Sequence, residues 1–396
     1  MELTVKQQEG LKIAVQRYLT GEKYSVISGF AGTGKSTLVK FIIEALNLNP
    51  EEDVAYVAYT GKAATVLQQK GCPNAVTAHK LLYNAKPMPN GTYKFFPRTS
   101  LEQPYKVVVV DEVSMLPASL WQTLLKHPVY IIATGDPFQL PPINPEDDNH
   151  VLDNPHVFLD EIMRQALDSE IIHLSMWIRE GKPLADFPCL GKQVRVISKN
   201  ELVSGMYEWA DQIICATNNK RIEVNNFVRQ LRGYGEEPCV GDKITSLRNH
   251  WDCSSASGDW ALTNGTIGEI NNFQVEKISV PEYIYSKRKL DYMFTSITLE
   301  DGDKFNYLPI DYLRLKAGKS TLTPRETYIL NRSKALLEAP YEFDYAYAIT
   351  CHRAQGSEWN KVLVFEEWFP NATEEHARWL YTAITRAADR LVIVKK

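Results

Sequence analysis

The sequence predicts an α/β fold of the P-loop type, built from more than one lobe, and three observations carry that prediction. Residues 29 to 37 read Gly-Phe-Ala-Gly-Thr-Gly-Lys-Ser-Thr, with Gly29, Gly34, Lys35 and Ser36 in the G-x-x-x-x-G-K-[ST] register. A continuous valine run, Val107 to Val110, ends in Asp111-Glu112. The chain has 396 residues, too many for one compact core.

Each element follows from its local chemistry. An apolar run, Tyr24 to Ile27, enters the glycine-rich loop, and an amphipathic run with Leu38, Phe41, Ile42 and Leu46 leaves it. That is a strand, a loop and a helix. In such a cradle the amides around Gly32, Thr33, Gly34, Lys35, Ser36 and Thr37 face phosphate oxygens at the positive end of the helix dipole. Lys35 reaches the β- and γ-phosphates and the Ser36 hydroxyl ligates Mg²⁺, so the expected cofactors are ATP and Mg²⁺. The four valines suit a parallel strand buried on both faces. A carboxylate at its C-terminal end, Asp111, holds the metal beside the loop serine, and Glu112 polarises the attacking water. A third strand, Val129 to Ala133, leads into Thr134-Gly135-Asp136-Pro137-Phe138-Gln139-Leu140-Pro141-Pro142, where the Gln139 amide is placed to sense the γ-phosphate.

Composition excludes several other classes. A formal net charge of −4 gives no global signature of a nucleic-acid binder, so any such surface is a local basic groove. The six cysteines form no C-x-x-C pair and no Cys/His cluster at zinc spacing, as in a reduced cytosolic protein. No signal-peptide pattern and no apolar run of bilayer length is present, which predicts no membrane partner.

With these segments, several others make the chain resemble the RecD/Dda-like branch of superfamily 1 DNA helicases, which includes the Pif1-type enzymes. Leu3-Thr4-Val5-Lys6-Gln7 matches the family's adenine-reading segment and puts that role on Gln7. Ala58-Tyr59-Thr60-Gly61-Lys62-Ala63-Ala64 and Thr77-Ala78-His79-Lys80-Leu81-Leu82 resemble its single-strand-binding segments, which implies DNA contacts at Thr60, Lys62, Thr77 and His79. Tyr59 stands where the family usually has proline. Ile162-Met163-Arg164-Gln165 carries its first arginine finger, Arg164. Tyr347 to Glu358 is similar to its DNA-coupling motif and implicates His352, Gln355 and Glu358, with Arg353 in place of the frequent lysine. Leu380-Tyr381-Thr382-Ala383-Ile384-Thr385-Arg386-Ala387 matches its last ATPase motif, with Arg386 as the second finger.

The resemblance implies two RecA-like P-loop NTPase lobes with two insertions. Residues 1–83 and 105–150 form the ATP-binding lobe. Residues 84–104, which contain Asn90-Gly91, are an inserted pin hairpin. Its rings Tyr93, Phe95 and Phe96 either stack on the last base pair or pack the hairpin onto the lobe. Alternation along a strand prevents Phe95 and Phe96 from doing the same job. Residues 151–263 and 346–396 form the second lobe, in which the strand from Gln212 leads to a polar loop at Asn218, a further expected DNA contact. Residues 264–345 are an inserted SH3-like β-barrel with short strands at 266–270, 275–280, 294–299 and 304–309. Lys287, Arg288 and Lys289 beside Tyr283, Tyr285 and Tyr292 suit a single-strand groove or a solvated charged face.

The implied activity is that of an ATP-dependent helicase. It moves 5′→3′ on single-stranded DNA and opens a duplex fork, as a monomeric motor in bacterial or phage-infected cytoplasm. Replication, recombination and repair are its implied settings, with proteins of those processes as possible partners. An RNA-directed or protein-displacing translocase, and a slow nucleotide switch, are the competing readings.

Overall fold

The computed structural model describes all residues except 1–2, 88–92, 143, 164–167, 190, 259–260, 280–288, 320–339 and 368–372. Its chain divides into two compact units. One comprises Met1–Tyr83, Pro97–Asn218 and Ile349–Lys396, and the other Asn84–Phe96 and Asn219–Ala348.

The first unit holds two sheets. The larger has six strands in the spatial order Val76–Thr77, Val54–Ala58, Val107–Val110, Tyr130–Gly135, Tyr24–Gly29 and Val157–Leu159, all parallel. Its centre explains the valine run. Val108 and Val110 face one core with Val26, Val57 and Ile131, while Val107 and Val109 face the opposite core with Ile27, Tyr56 and Ile132. Both faces are covered, so every position is apolar and β-branched. Burying each such side chain contributes about 1.5 kcal/mol or more, and a charge at Val109 would break the layer.

The second sheet runs in the order Ala348–Thr350, Gln212–Cys215, Trp359–Phe365, Ala387–Val394, Val194–Ile197. Helices Glu170–Arg179 and Thr373–Ile384 pack together beside it. No helix among the described residues is long and apolar enough to cross a membrane.

The second unit is antiparallel. Its sheet runs Lys304–Asp311, Lys289–Thr298, Ile267–Ser279, Lys243–Ser246, Phe343–Tyr345 around a core of Ile270, Met293, Ile297, Phe305 and Phe343. Two features differ from the sequence expectation. Residues 267–270 and 275–279 of the first two expected runs belong to one strand of 13 residues, Ile267–Ser279. The polar Asn271-Asn272 between them falls at a register shift, so it is a bulge in a continuous strand and not a turn. The sheet also recruits Lys243–Ser246, ahead of residue 264. Tyr292, read from the sequence as part of a single-strand groove or a solvated charged face, is buried in a stack with Phe294, and burial pushes its phenol up to about 12. Tyr283, Tyr285, Lys287 and Arg288 lie outside the described residues.

Strands Tyr83–Pro87 and Tyr93–Pro97 form a two-stranded hairpin, with Asn90-Gly91 outside the described residues. Phe95 and Phe96 are exposed, and the Lys94 and Lys86 ammonium groups lie 5.3 and 5.5 Å from the Phe96 ring centre.

Candidate nucleotide site

The glycine-rich loop joins strand Tyr24–Gly29 to helix Lys35–Ala45. Gly34 turns into the helix at φ 79°, and a Cβ there would meet Met163 Sδ at 2.2 Å and Gln7 Nε2 at 2.5 Å. Only glycine fits, by conformation and by space. Lys35 Nζ donates to the loop's own Gly29 and Phe30 carbonyls at 2.8 and 3.0 Å. Thr33 is buried and its hydroxyl donates to Phe30 O, so it braces the loop. Ser36 is exposed on the first helical turn and Thr37 beside it is half-buried.

Gln7 has a structural job in addition to the one expected of it. Its Oε1 accepts from Thr4 N at 3.0 Å while Thr4 Oγ1 accepts from Gln7 N, a capping box that starts helix Val5–Leu19. Its Nε2 donates to Thr33 O at 3.1 Å and props the phosphate loop. The spacing Thr4-x-x-Gln7 was the available signal for the cap.

The strand-end carboxylates open onto a cavity of about 470 Å³ bordered by Ser36, Asp111, Glu112, Thr134 and Arg386. Asp111 Oδ1 accepts from the Thr134 hydroxyl at 2.8 Å, which fixes its orientation. Ser36, Asp111 and Glu112 present only oxygen donors there, the hard set that suits Mg²⁺. Glu112 sits at φ 47°, a left-handed backbone uncommon for a residue with a side chain. Burial raises its pKa, and Arg386 opposes that shift. Its side chain keeps about a quarter of its surface accessible through the cavity. Protein still surrounds the carboxylate closely enough that desolvation outweighs the cation.

Arg386 comes from the second sheet, where strand Ala387–Val394 begins. Its Nε donates to Thr382 O at 3.1 Å, Nη1 to Ser357 O at 3.3 Å and Nη2 to Thr385 Oγ1 at 3.2 Å. Nη1 also lies 3.4 Å from Glu112 Oε1. The loop after Gln355 passes close by at Gly356 (φ 73°), where a Cβ would stand 2.8 Å from Ala63 Cβ. Around this arginine, helix Thr373–Ile384 grips the loop that carries Gln139. Tyr381 donates to Asp136 Oδ2 at 2.6 Å, and Leu140 N donates to Thr382 Oγ1 at 2.9 Å. Gln139, half-buried, lies between those two anchors.

The residues expected to touch DNA divide by environment. Thr60 and Thr77 accept from Ala63 N and Lys80 N as N-caps of helices Gly61–Gln69 and Ala78–Leu82. The Lys62 ammonium lies 4.3 Å from the Trp359 ring centre. His79 is flanked by Tyr59 and Tyr83 at 6.4 and 6.0 Å, and burial lowers its pKa, as it does that of His352. Both imidazoles are therefore neutral near pH 7 and offer no charge to a phosphate. Gln355 is 5% exposed and donates to Leu140 O at 2.9 Å, so its amide points into the protein and not to a strand. Asn218 opens helix Asn218–Leu231. Arg164 lies outside the described residues. The Tyr381 and Thr382 contacts escaped sequence reasoning, since no local spacing encodes a partner some 240 positions away.

A family profile described as an AAA domain matches residues 3–201, just over half of the chain, and one described as a UvrD-like helicase C-terminal domain matches 345–394. The chain belongs to the AAA-domain family, and its relatives are RecD2-, Dda- and Pif1-type helicases. It is 26% identical to the ATP-dependent RecD2 DNA helicase of Deinococcus radiodurans over 419 residues, covering 97% of this chain and 49% of that protein. It is also 26% identical to the ATP-dependent DNA helicase dda of Enterobacteria phage T4 over 253 residues, covering 58% of this chain and 57% of that one. The chain thus spans about half the length of these relatives. Among solved structures, Bacteroides Pif1 bound to ssDNA superposes with a TM-score of 0.54 at 18% identity, covering 99% of this chain and 92% of that one. Pif1 helicase from Candida albicans gives 0.51 at 19%, covering 100% and 94%. These likenesses show the α/β fold with a RecA-like core.

Proposed function

We propose that this chain is an ATP-dependent DNA helicase that translocates 5′→3′ on single-stranded DNA and unwinds duplex. The observation that carries the reading is Arg386, brought from the second sheet to 3.4 Å from Glu112 of the first. A P-loop protein that needs only to bind nucleotide has no use for a guanidinium delivered from another sheet to its catalytic carboxylate. A motor that hydrolyses in step with movement does.

In the mechanism, Lys35 leaves its loop carbonyls for the β- and γ-phosphates of ATP, and Arg386 neutralises charge on the transferring phosphoryl group together with Arg164. Glu112 takes a proton from the water that attacks the γ-phosphorus, and the bond to ADP breaks. Ser36 and Asp111 would hold Mg²⁺, which neutralises phosphate charge when bound. Gln139 reports the γ-phosphate to the strand-binding segments around Thr60, Lys62 and Thr77. Gln355 passes that state through Leu140, and Gln7 reads the adenine once the base competes for its amide. The hairpin with Phe95 and Phe96 acts as the pin at the fork, and the antiparallel sheet of the second unit as the SH3-like insert. Polarity and the choice of DNA rest on the likeness to RecD2, dda and Pif1, and the motor works as a cytoplasmic monomer. A strand-displacement assay on 5′-tailed DNA, 3′-tailed DNA and tailed RNA tests the reading. Opening of the 5′-tailed DNA alone is expected, and displacement only from RNA or a 3′ tail overturns it.

A further inference from the structure

The Tyr381 hydroxyl joins three parts of the nucleotide site. It accepts from Ala31 N–H of the phosphate loop at 2.9 Å and donates to Asp136 Oδ2 at 2.6 Å. Tyr381 is fully buried and Asp136 nearly so. Packing accounts for the ring, which meets Phe138 edge-on at 5.2 Å, but not for the hydroxyl. A phenylalanine would pack equally well without a polar atom to satisfy, so the oxygen is there for its two bonds. One residue on, Thr382 Oγ1 accepts from Leu140 N and donates to Arg378 O. The segment from Asp136 to Leu140 is thus stapled at both ends to one helix, with Gln139 between the staples. Asp136 also accepts from Phe138 N at 3.0 Å, which fixes the turn inside the staple. The same helix ends two residues before Arg386.

We propose that Tyr381 and Thr382 are positioning residues that register the phosphate loop, the Gln139 segment and Arg386 on one helix, so that the site distinguishes triphosphate from diphosphate. The proposal deepens the helicase reading and rests on it for the roles of Gln139 and Arg386. Neither hydroxyl touches a reacting atom. Their effect is geometric: with the staple cut, Gln139 and Arg386 no longer reach the γ-phosphate together, while contacts to the β-phosphate persist.

The test compares Tyr381→Phe and Thr382→Val with wild type. Fluorescent ADP and a slowly hydrolysed ATP analogue are titrated with Mg²⁺ present, and steady-state ATPase is measured on single-stranded DNA. Tyr381→Phe is expected to keep ADP affinity within about threefold and to lose about tenfold in preference for triphosphate, the worth of one hydrogen bond to a charged group. The same loss should appear in kcat, with KM little changed. Thr382→Val should move both quantities the same way by a smaller factor, and it carries the test if the phenylalanine variant does not fold. An unchanged triphosphate preference overturns the proposal. So does a parallel loss of both affinities with a fall in melting temperature, since that marks a purely structural role. Wild type is assayed on 5′-tailed DNA alongside. A shifted preference in the variants without wild-type displacement defeats the helicase reading and leaves the positioning role standing. Displacement with unshifted preference does the reverse.

Discussion

The nucleotide cleft and the antiparallel unit solve the same problem, burying charge, in opposite ways. In the cleft, Arg386 and Glu112 meet at 3.4 Å around a cavity, and the carboxylate's pKa is still raised. In the antiparallel unit, Arg229 Nε meets Asp242 at 2.9 Å with both side chains almost wholly buried. Asp242 accepts further from Cys239 N and the Tyr347 hydroxyl. The second arrangement is complete and holds a fold. In the first, Glu112 keeps about a quarter of its surface open to the cavity, and a partly desolvated carboxylate that still reaches the cavity is what a reacting group needs. Packing quality therefore separates scaffold from engine better than burial does.

The comparison can be broken most severely at Arg386. Arg386→Ala is expected to lower DNA-stimulated ATPase by about 10⁴-fold, within the range of an arginine finger, as phosphate release would show. Glu112→Gln comes next, at about a thousandfold in kcat, with ATP and DNA binding kept. Its pH dependence has a definite sign. A raised carboxyl pKa means the folded state favours the proton, so stability is present at low pH and lost as pH rises through the folded value. Catalysis needs the ionised form, so wild-type kcat should fall as pH drops, and at a higher pH than an ordinary glutamate would give. At pH 8 the Gln variant should melt no lower than wild type. A lower melting point would mean that pairing with Arg386 outweighs desolvation after all.

Asp242→Ala sharpens the other side. It strands Arg229, and about 3 kcal/mol of stability should be lost in chemical denaturation. Nucleotide affinity should stay unchanged if the two units are energetically separate. The smallest effect is expected at Phe96. Phe96→Ala should slow unwinding several-fold while sparing ATPase on single strands, since one stacked base is worth about 1–3 kcal/mol. Equal loss in both assays would make the ring a packing residue.

The parts legible in the sequence were those whose chemistry is local. Strand, glycine-rich loop and helix around Lys35 lie in one run, and the valines announce their own burial on both faces. Asp111 and Glu112 are named by the strand they end. The bulge at Asn271-Asn272 misled because polar residues break a pattern whether the chain turns or only kinks. Gln355 could be placed in a coupling motif, but its partner, Leu140 O, lies 215 positions away and no local pattern names it. The hydroxyl of Tyr381 was invisible for the same cause.

One feature of the loop bears on how experiments should be controlled. Lys35 supplies two of the donors that hold the Gly29 and Phe30 carbonyls in place. Replacing it, the usual way to make an inactive P-loop protein, deletes a structural tie along with the phosphate ligand. Such a variant would conflate a loosened backbone with lost chemistry, and any change in its DNA affinity would be ambiguous. Glu112→Gln keeps the loop intact, and is the cleaner reference for what this protein does on a strand when it cannot hydrolyse.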